Sequence, residues 1–231
     1  MTFAIPPQTY VVVPAYNEAP ALPATVGGLL QAGYQVVVVD DASTDDTPQV
    51  LDRQALHYLR HRVNLGQGAA LQTGMDYARS LGAQWVIHFD ADGQHRVEDL
   101  PALLAPLLGG QADVALGSRF LRGDTGTMPR GRRRLLRAAI WINGLFTGLW
   151  LSDAHCGLRA LNRQALDRIR LRSNRMAHAT EILTQIRRTG LRYTEVPVEV
   201  RYTDYARQKG QSFRHAFGIL GDLILRNLFS P

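Results

Sequence analysis

Two carboxylates one residue apart close an apolar run, for Trp85-Val86-Ile87-His88-Phe89 leads directly into Asp90-Ala91-Asp92-Gly93. A pair so spaced at a strand end can hold a hard divalent cation, Mg2+ or Mn2+, which takes oxygen ligands and keeps positions open for substrate phosphates. Two protein carboxylates then suffice, and a diphosphate supplies the missing oxygens. Such a cation stabilises charge gathering on a departing nucleoside diphosphate by several kcal/mol. An Asp-x-Asp alone is more often a solvated turn. Here the apolar strand ahead of it, and two further polar strand ends, favour the metal.

Those further ends are Pro14-Ala15-Tyr16-Asn17-Glu18 after one valine run and Asp40-Asp41-Ala42-Ser43 after another. One aspartate of the second pair can accept from a base N–H or a ribose hydroxyl, while the other caps Thr44-Asp45-Asp46-Thr47. Asn64-Leu65-Gly66-Gln67-Gly68 opens a helix but lacks the glycine pattern and the lysine of a phosphate loop. His178 and Glu181 stand three apart on one face at the head of another helix. Arg201, Arg207 and Lys209 form a basic stretch able to close over a diphosphate, or a solvated loop. His88 and His95 are read as supports rather than metal ligands.

Positioning these groups requires elements, and the alternation of short β-branched runs with helical periods predicts an α/β domain. Strands are expected near 9–14, 35–40, 57–60, 85–90 and 113–117, and helices near 20–32, 47–54, 68–81 and 98–108. A later strand is expected over 195–203. In open α/β sheets ligands bind beyond the strand C-termini, so the three polar ends should converge on one crevice. With 231 residues, 45% of them hydrophobic, one domain is expected, and the core needs no staples. Cys156 is the single cysteine, which excludes an intramolecular disulfide and a cysteine-based zinc cluster.

The net charge of +6 is almost all arginine, Lys209 being the only lysine, and it calls for anionic partners. No helix-turn-helix or RNA-binding motif accompanies it, so nucleic acid is not expected. The N-terminus lacks a secretory pattern, which suggests a cytoplasmic location. The arginine cluster Arg130, Arg132, Arg133, Arg134, Arg137 leads into an apolar stretch ending at Leu151. That stretch is too short and interrupted to span a bilayer, and reads as an interfacial helix. Phe213, Phe217, Leu220, Ile224 and Leu228 recur at helical spacing. A catalytic unit over 1–210, with the arginine-rich helix near 130–151, and a docking helix over 211–231 for a membrane or a partner follow as expectations.

Taken in order, Val13-Pro14-Ala15-Tyr16-Asn17-Glu18, Val39-Asp40-Asp41-Ala42-Ser43-Thr44-Asp45, Asn64-Leu65-Gly66, Asp90-Ala91-Asp92-Gly93-Gln94-His95, Gly117-Ser118-Arg119 and Asp153-Ala154-His155-Cys156-Gly157-Leu158-Arg159 cover most of residues 10–200. They resemble the family 2 glycosyltransferases, particularly the branch with dolichyl-phosphate mannose synthases and bacterial polyprenyl-phosphate glycosyltransferases. The resemblance implies a GT-A fold with a mostly parallel sheet and helices on both faces. It implies a UDP- or GDP-sugar donor, with Pro14, Tyr16, Glu18 and Asp41 around the nucleoside. Asp90, Ala91, Asp92 and Gln94 would surround the metal diphosphate.

Arg119 and the 130–134 run, Arg132 and Arg133 among them, resemble positions that hold a polyprenyl phosphate acceptor, a role a guanidinium fork suits. Such an acceptor is already anionic and needs no strong base; a saccharide hydroxyl would need one, with Asp153 or Glu181 as candidates. Asp153 belongs to the family's Asp-x-x-x-Gly-x-Arg pattern. Inversion at the anomeric carbon is implied, as is work at the inner face of the cytoplasmic membrane, by interfacial helices or a small membrane protein partner. The apolar helices could instead serve a homodimer. A non-catalytic nucleotide-sugar-binding scaffold is the rival from another class.

Overall fold

Among the described residues of the computed structural model seven strands form one sheet, in the order β3 (His57–Arg60), β2 (Gln35–Asp40), β1 (Thr9–Ala15), β4 (Trp85–His88), β6 (Arg159–Asn162), β5 (Val114–Ser118), β7 (Tyr193–Pro197). The structure describes residues 4–51, 55–121, 140–141, 144–145, 147–154, 156–174 and 177–201. The elements are β1 (Thr9–Ala15), α1 (Leu22–Gln31), β2 (Gln35–Asp40), α2 (Thr47–Val50), β3 (His57–Arg60), α3 (Gln67–Ser80) and β4 (Trp85–His88). A 3-10 turn (Val97–Asp99) then runs into α4 (Leu100–Leu108), followed by β5 (Val114–Ser118), β6 (Arg159–Asn162), α5 (Arg163–Arg168), α6 (His178–Thr189) and β7 (Tyr193–Pro197).

The valine runs become central strands because both sheet faces are covered, so every position of β1 is buried. Val12, Val37 and Val39 point to one face, with Ala70, Leu71 and Met75 of α3 and Ile182, Leu183 and Ile186 of α6. Val11, Val13, Val36 and Val38 point to the other, with Leu22, Val26 and Leu29 of α1 and Leu100, Leu103 and Leu104 of α4. β1 pairs in parallel with β2 on one side and β4 on the other. The chain order therefore reverses beside β1, and that is where the three polar strand ends meet.

Sheet and layers agree with the expected fold, mostly parallel with helices on both faces. One strand was not anticipated: β6 runs antiparallel between β4 and β5. The late strand also differs from expectation, covering Tyr193–Pro197 rather than 195–203. Its partner β5 stops at Ser118, opposite Pro197, and Val198 N donates to Ser118 O as the last rung. The chain then crosses to the loop after β4, where Val200 bridges His95.

The 130–134 arginine run with Arg132 and Arg133, most of the expected interfacial helix, Arg207, Lys209 and the helix over 211–231 lie outside the described residues. Among the described residues no helix is long and apolar enough to cross a membrane.

Candidate active site

The loops after β1 and β2 are stitched into one wall. Asn17 sits at φ 54, which asparagine tolerates better than most residues, and Ala42 at φ 62, which alanine does not. Asn17 Oδ1 accepts from Thr44 N at 2.8 Å and Asn17 N donates to Ser43 Oγ at 2.9 Å. Glu18 N donates to Thr47 Oγ1 at 2.9 Å and Ala19 N to Asp45 Oδ2 at 3.2 Å. These bonds place Pro14, Tyr16 and Glu18 along the crevice edge, with the Tyr16 ring exposed.

Asp40 and Asp41 are both buried, and both face the protein. Asp40 accepts from Ser43 N and the Tyr58 hydroxyl, each at 2.8 Å, and pairs with Arg60 Nε at 3.2 Å. Asp40 is therefore spent on the protein's own groups. Asp41 lies 2.7 Å from His61 Nδ1 and accepts from Leu65 N at 2.9 Å and Gly66 N at 2.6 Å. Its carboxylate folds the 61–66 turn, so any part it has at the nucleoside runs through that turn.

The turn leads into α3, whose first amides are already used. Gly68 N and Ala69 N donate to Asn174 O at 2.8 and 3.3 Å, which closes this helix start to a phosphate. The Gln67 side chain reaches into the crevice instead and donates to Asp90 Oδ1 at 2.9 Å.

Asp90 is thus gripped from two sides, since His95 Nε2 lies 3.1 Å from Oδ2. Asp92 accepts from Gln94 N at 3.0 Å through Oδ1. Burial alone would raise Asp90, but the hydrogen bond and charge of His95, with Arg159 and His178, hold its carboxyl below the usual range. Asp92 goes the other way: burial and the Asp90 charge push it up to about 6. Beneath them His88 has no hydrogen-bond partner at either ring nitrogen among the described residues, and burial pushes its pKa down to about 3. It is neutral packing, and His95 orients Asp90, as supports should.

These residues fit a hard cation. Negative charge is concentrated enough to resist ionisation of Asp92, a cost that a bound cation removes. Among the described residues no three His, Cys, Asp or Glu side chains converge to hold a metal unaided. Two carboxylates with ligand positions left for phosphate oxygens is the arrangement Mg2+ and Mn2+ accept.

At the end of β5 stands the basic half of the site. Arg119 Nε donates to Asp153 Oδ2 at 2.5 Å and Arg119 N to the same oxygen at 3.2 Å, with Asp153 buried. Exposed apolar side chains stand close to this pair along the chain. Leu121 and Trp150 are exposed, and the exposed Trp141 ring packs edge-on to Trp150, with ring centroids 5.2 Å apart. The Cys156 thiol, pushed up to about 12 by burial, is inert packing.

Comparison with known proteins matches residues 10–170 to the sequence profile described as Glycosyl transferase family 2. The polyprenol monophosphomannose synthase of Mycolicibacterium smegmatis is 32% identical over 90% of this chain and 84% of its own. The chain belongs to glycosyl transferase family 2. Another relative is the UDP-N-acetylglucosamine–dolichyl-phosphate N-acetylglucosaminyltransferase of Methanococcus voltae, 28% identical over 94% of each protein. In fold the chain resembles glucosyl-3-phosphoglycerate synthase of Mycobacterium tuberculosis, solved with Mn2+ and uridine-diphosphate-glucose. The TM-score is 0.67 at 20% identity, covering 94% of this chain and 76% of that one.

For this family 2 glycosyltransferase the structure brings together Pro14, Tyr16, Glu18, Asp90, Ala91, Asp92 and Gln94 at one end of the sheet, with Arg119 and Asp153 at the end of β5. Glu181 stands apart from these residues, at the head of α6. Its carboxylate accepts from Arg172 N at 2.9 Å, Ser173 N at 2.7 Å and Gln185 Nε2 at 3.3 Å, which braces the 170–174 loop. His178 is buried, as core. Arg201 N donates to Gln94 O at 2.8 Å, which lays this end of the expected basic lid on the Asp90–His95 loop.

Sequence reasoning missed Gln67, Gly157 and Glu195. Gly157 lies inside a motif quoted above, and its lack of a side chain against Asp90 was the available signal.

Proposed function

We propose that this glycosyltransferase moves a sugar from a nucleoside-diphosphate sugar to the phosphate of a polyprenyl phosphate, with inversion, while peripheral to the cytoplasmic face of a membrane. The observation that carries the reading is the Arg119–Asp153 pair, flanked along the chain by exposed Leu121 and Trp150, with the exposed Trp141 ring against Trp150. A guanidinium suits a phosphate, and exposed tryptophans suit the interface between water and lipid tails. The relatives named above act, by their names, on polyprenol or dolichyl phosphate, which supports the same acceptor.

In this reading Asp90 and Asp92 hold Mg2+ or Mn2+ together with the donor diphosphate, and the cation when bound supplies electrostatic stabilisation of the leaving group. Tyr16 and Glu18 line the nucleoside side. Gln67 and His95 fix the Asp90 carboxylate, which lowers the reorganisation needed as charge develops. Arg119 orients the acceptor phosphate, whose anionic oxygen attacks the anomeric carbon without prior loss of a proton. A hydroxyl acceptor would need a general base, and the two candidates, Asp153 and Glu181, are already committed to Arg119 and to the 172–173 backbone.

The test is a transfer assay with radiolabelled UDP- and GDP-sugars against polyprenyl phosphate, the matching polyprenol and soluble saccharides, with Mn2+ or EDTA. Metal-dependent labelling of polyprenyl phosphate alone is expected. Labelling of a saccharide, or nucleotide binding without turnover on any acceptor, would overturn the acceptor reading.

A further inference from the structure

Glu195 lies on β7 opposite Leu116 of β5, with its side chain half-buried. An acidic side chain there needs partners, and it has them in the turn that carries Asp153. Ser152 N is 2.9 Å from both Glu195 oxygens, the Ser152 hydroxyl is 2.7 Å from Oε1, and Asp153 N is 3.2 Å from Oε1. Because the carboxylate only accepts, the Ser152 hydroxyl hydrogen points to Glu195. The Ser118 hydroxyl, 2.6 Å away, must then donate to Ser152 Oγ. Ser118 immediately precedes Arg119, whose backbone and side chain both donate to Asp153. One carboxylate thus fixes both ends of the Arg119–Asp153 pair, through Asp153 N and through the Ser152–Ser118 hydroxyl chain.

We infer that Glu195 is a positioning residue for acceptor phosphate, holding Asp153 so that Arg119 presents its guanidinium in one orientation. The inference rests on the reading of Arg119 as the acceptor-phosphate ligand. Glu195 bonds to none of Gln67, Asp90, Asp92 or Gln94, so donor binding should be indifferent to it. A merely structural carboxylate would instead disturb donor, acceptor and thermal stability together.

The experiment compares wild type with Glu195→Ala, Glu195→Gln and Ser152→Ala. In Glu195→Ala the KM for polyprenyl phosphate should rise about tenfold or more, with the donor KM within about twofold. Glu195→Gln, which keeps one acceptor oxygen and the shape, should recover most of that loss. Alongside, the Arg119 Nε–H resonance, identified by its loss in Arg119→Lys, is followed by NMR without any substrate. Its exchange with water should accelerate about tenfold or more in Glu195→Ala and stay near wild type in Glu195→Gln. If wild type transfers nothing to polyprenyl phosphate but the resonance responds, the acceptor reading fails and the positioning role stands. An Arg119 resonance indifferent to Glu195→Ala in folded protein, or donor and acceptor KM rising equally, overturns the inference.

Discussion

A β-carbon placed on Gly157 would collide with the Asp90 carboxylate, because the chain entering β6 passes directly against Oδ2 of the first aspartate after β4. Gln67 and His95 already hold that carboxylate, so it cannot swing away without breaking a bond. Gly157→Ala should therefore fold, yet weaken metal-dependent binding of the donor nucleotide about tenfold or more, about 1.4 kcal/mol. Calorimetry with Mn2+ and a nucleoside diphosphate checks this, and wild-type affinity in the variant would show that Asp90 tolerates displacement.

Gly68 makes a different prediction. Its added β-carbon would meet the Ser173 carbonyl oxygen and the Cβ of His178, and backbone cannot retreat as a side-chain tip can. Gly68→Ala should cost about 1–3 kcal/mol or more, as overpacking does, and separate α3 from the 172–174 loop. Glu181→Ala attacks the same loop from its other side by stripping Arg172 N and Ser173 N of their acceptor. Urea denaturation should show both variants destabilised, while Glu181→Gln leaves the pH–rate profile unchanged. A lost acid limb in Glu181→Gln would restore Glu181 as a general base.

Away from the crevice, Asp113 ties β5 to the start of β7. It is buried and accepts from Arg192 N and Nη2, each at 2.9 Å, and from Asn162 Nδ2 at 3.0 Å. The Arg192 hydrogen bond, against some cost of burial, takes its pKa down to about 2. With a folded pKa below the unfolded value, the stability it contributes is complete above the unfolded pKa and is lost as pH falls through the folded one. Unfolding free energy should drop by up to about 2 kcal/mol from this group between pH 4 and 2. In Asp113→Asn the acid limb should be shallower, as chemical denaturation across that range would show; an identical limb would exclude Asp113 as its source.

The sheet and the crevice were legible in the sequence for one reason: buried parallel strands read as valine runs, and their polar ends announce the ligand edge. Asp90-Ala91-Asp92 stood out because an apolar strand feeds it. β6 did not stand out, since Arg159–Asn162 is four residues long and is a strand only because β4 and β5 flank it. Asp40, Asp41 and Glu181 all turn their carboxylates to the protein's own groups. A carboxylate at a strand end or helix start can serve the backbone as readily as a ligand, and composition does not distinguish the two. Gln67 and Glu195 were invisible because their partners, Asp90 and Ser152, lie 23 and 43 residues away.

Asp92 allows the sharpest test of the metal reading, because its electrostatics make opposite demands on stability and binding. Burial and the Asp90 charge raise its pKa to about 6, so the metal-free fold favours the neutral carboxyl. The stability this contributes is full below the unfolded pKa near 4 and is lost as pH rises through about 6. Asp92→Asn keeps the shape without the charge, so at pH 7.5 the metal-free variant should be more stable by about 1–2 kcal/mol, a melting point higher by a few degrees. A cation needs the ionised form. Wild-type affinity for Mn2+ should therefore be flat above pH 7 and fall towards tenfold per pH unit below 6, whereas Asp92→Asn should gain no thermal stability from Mn2+ at any pH. Thermal melts across pH 5–8 with a Mn2+ titration read both effects. A variant no more stable than wild type without metal, together with Mn2+ affinity independent of pH, would remove Asp92 from the metal site.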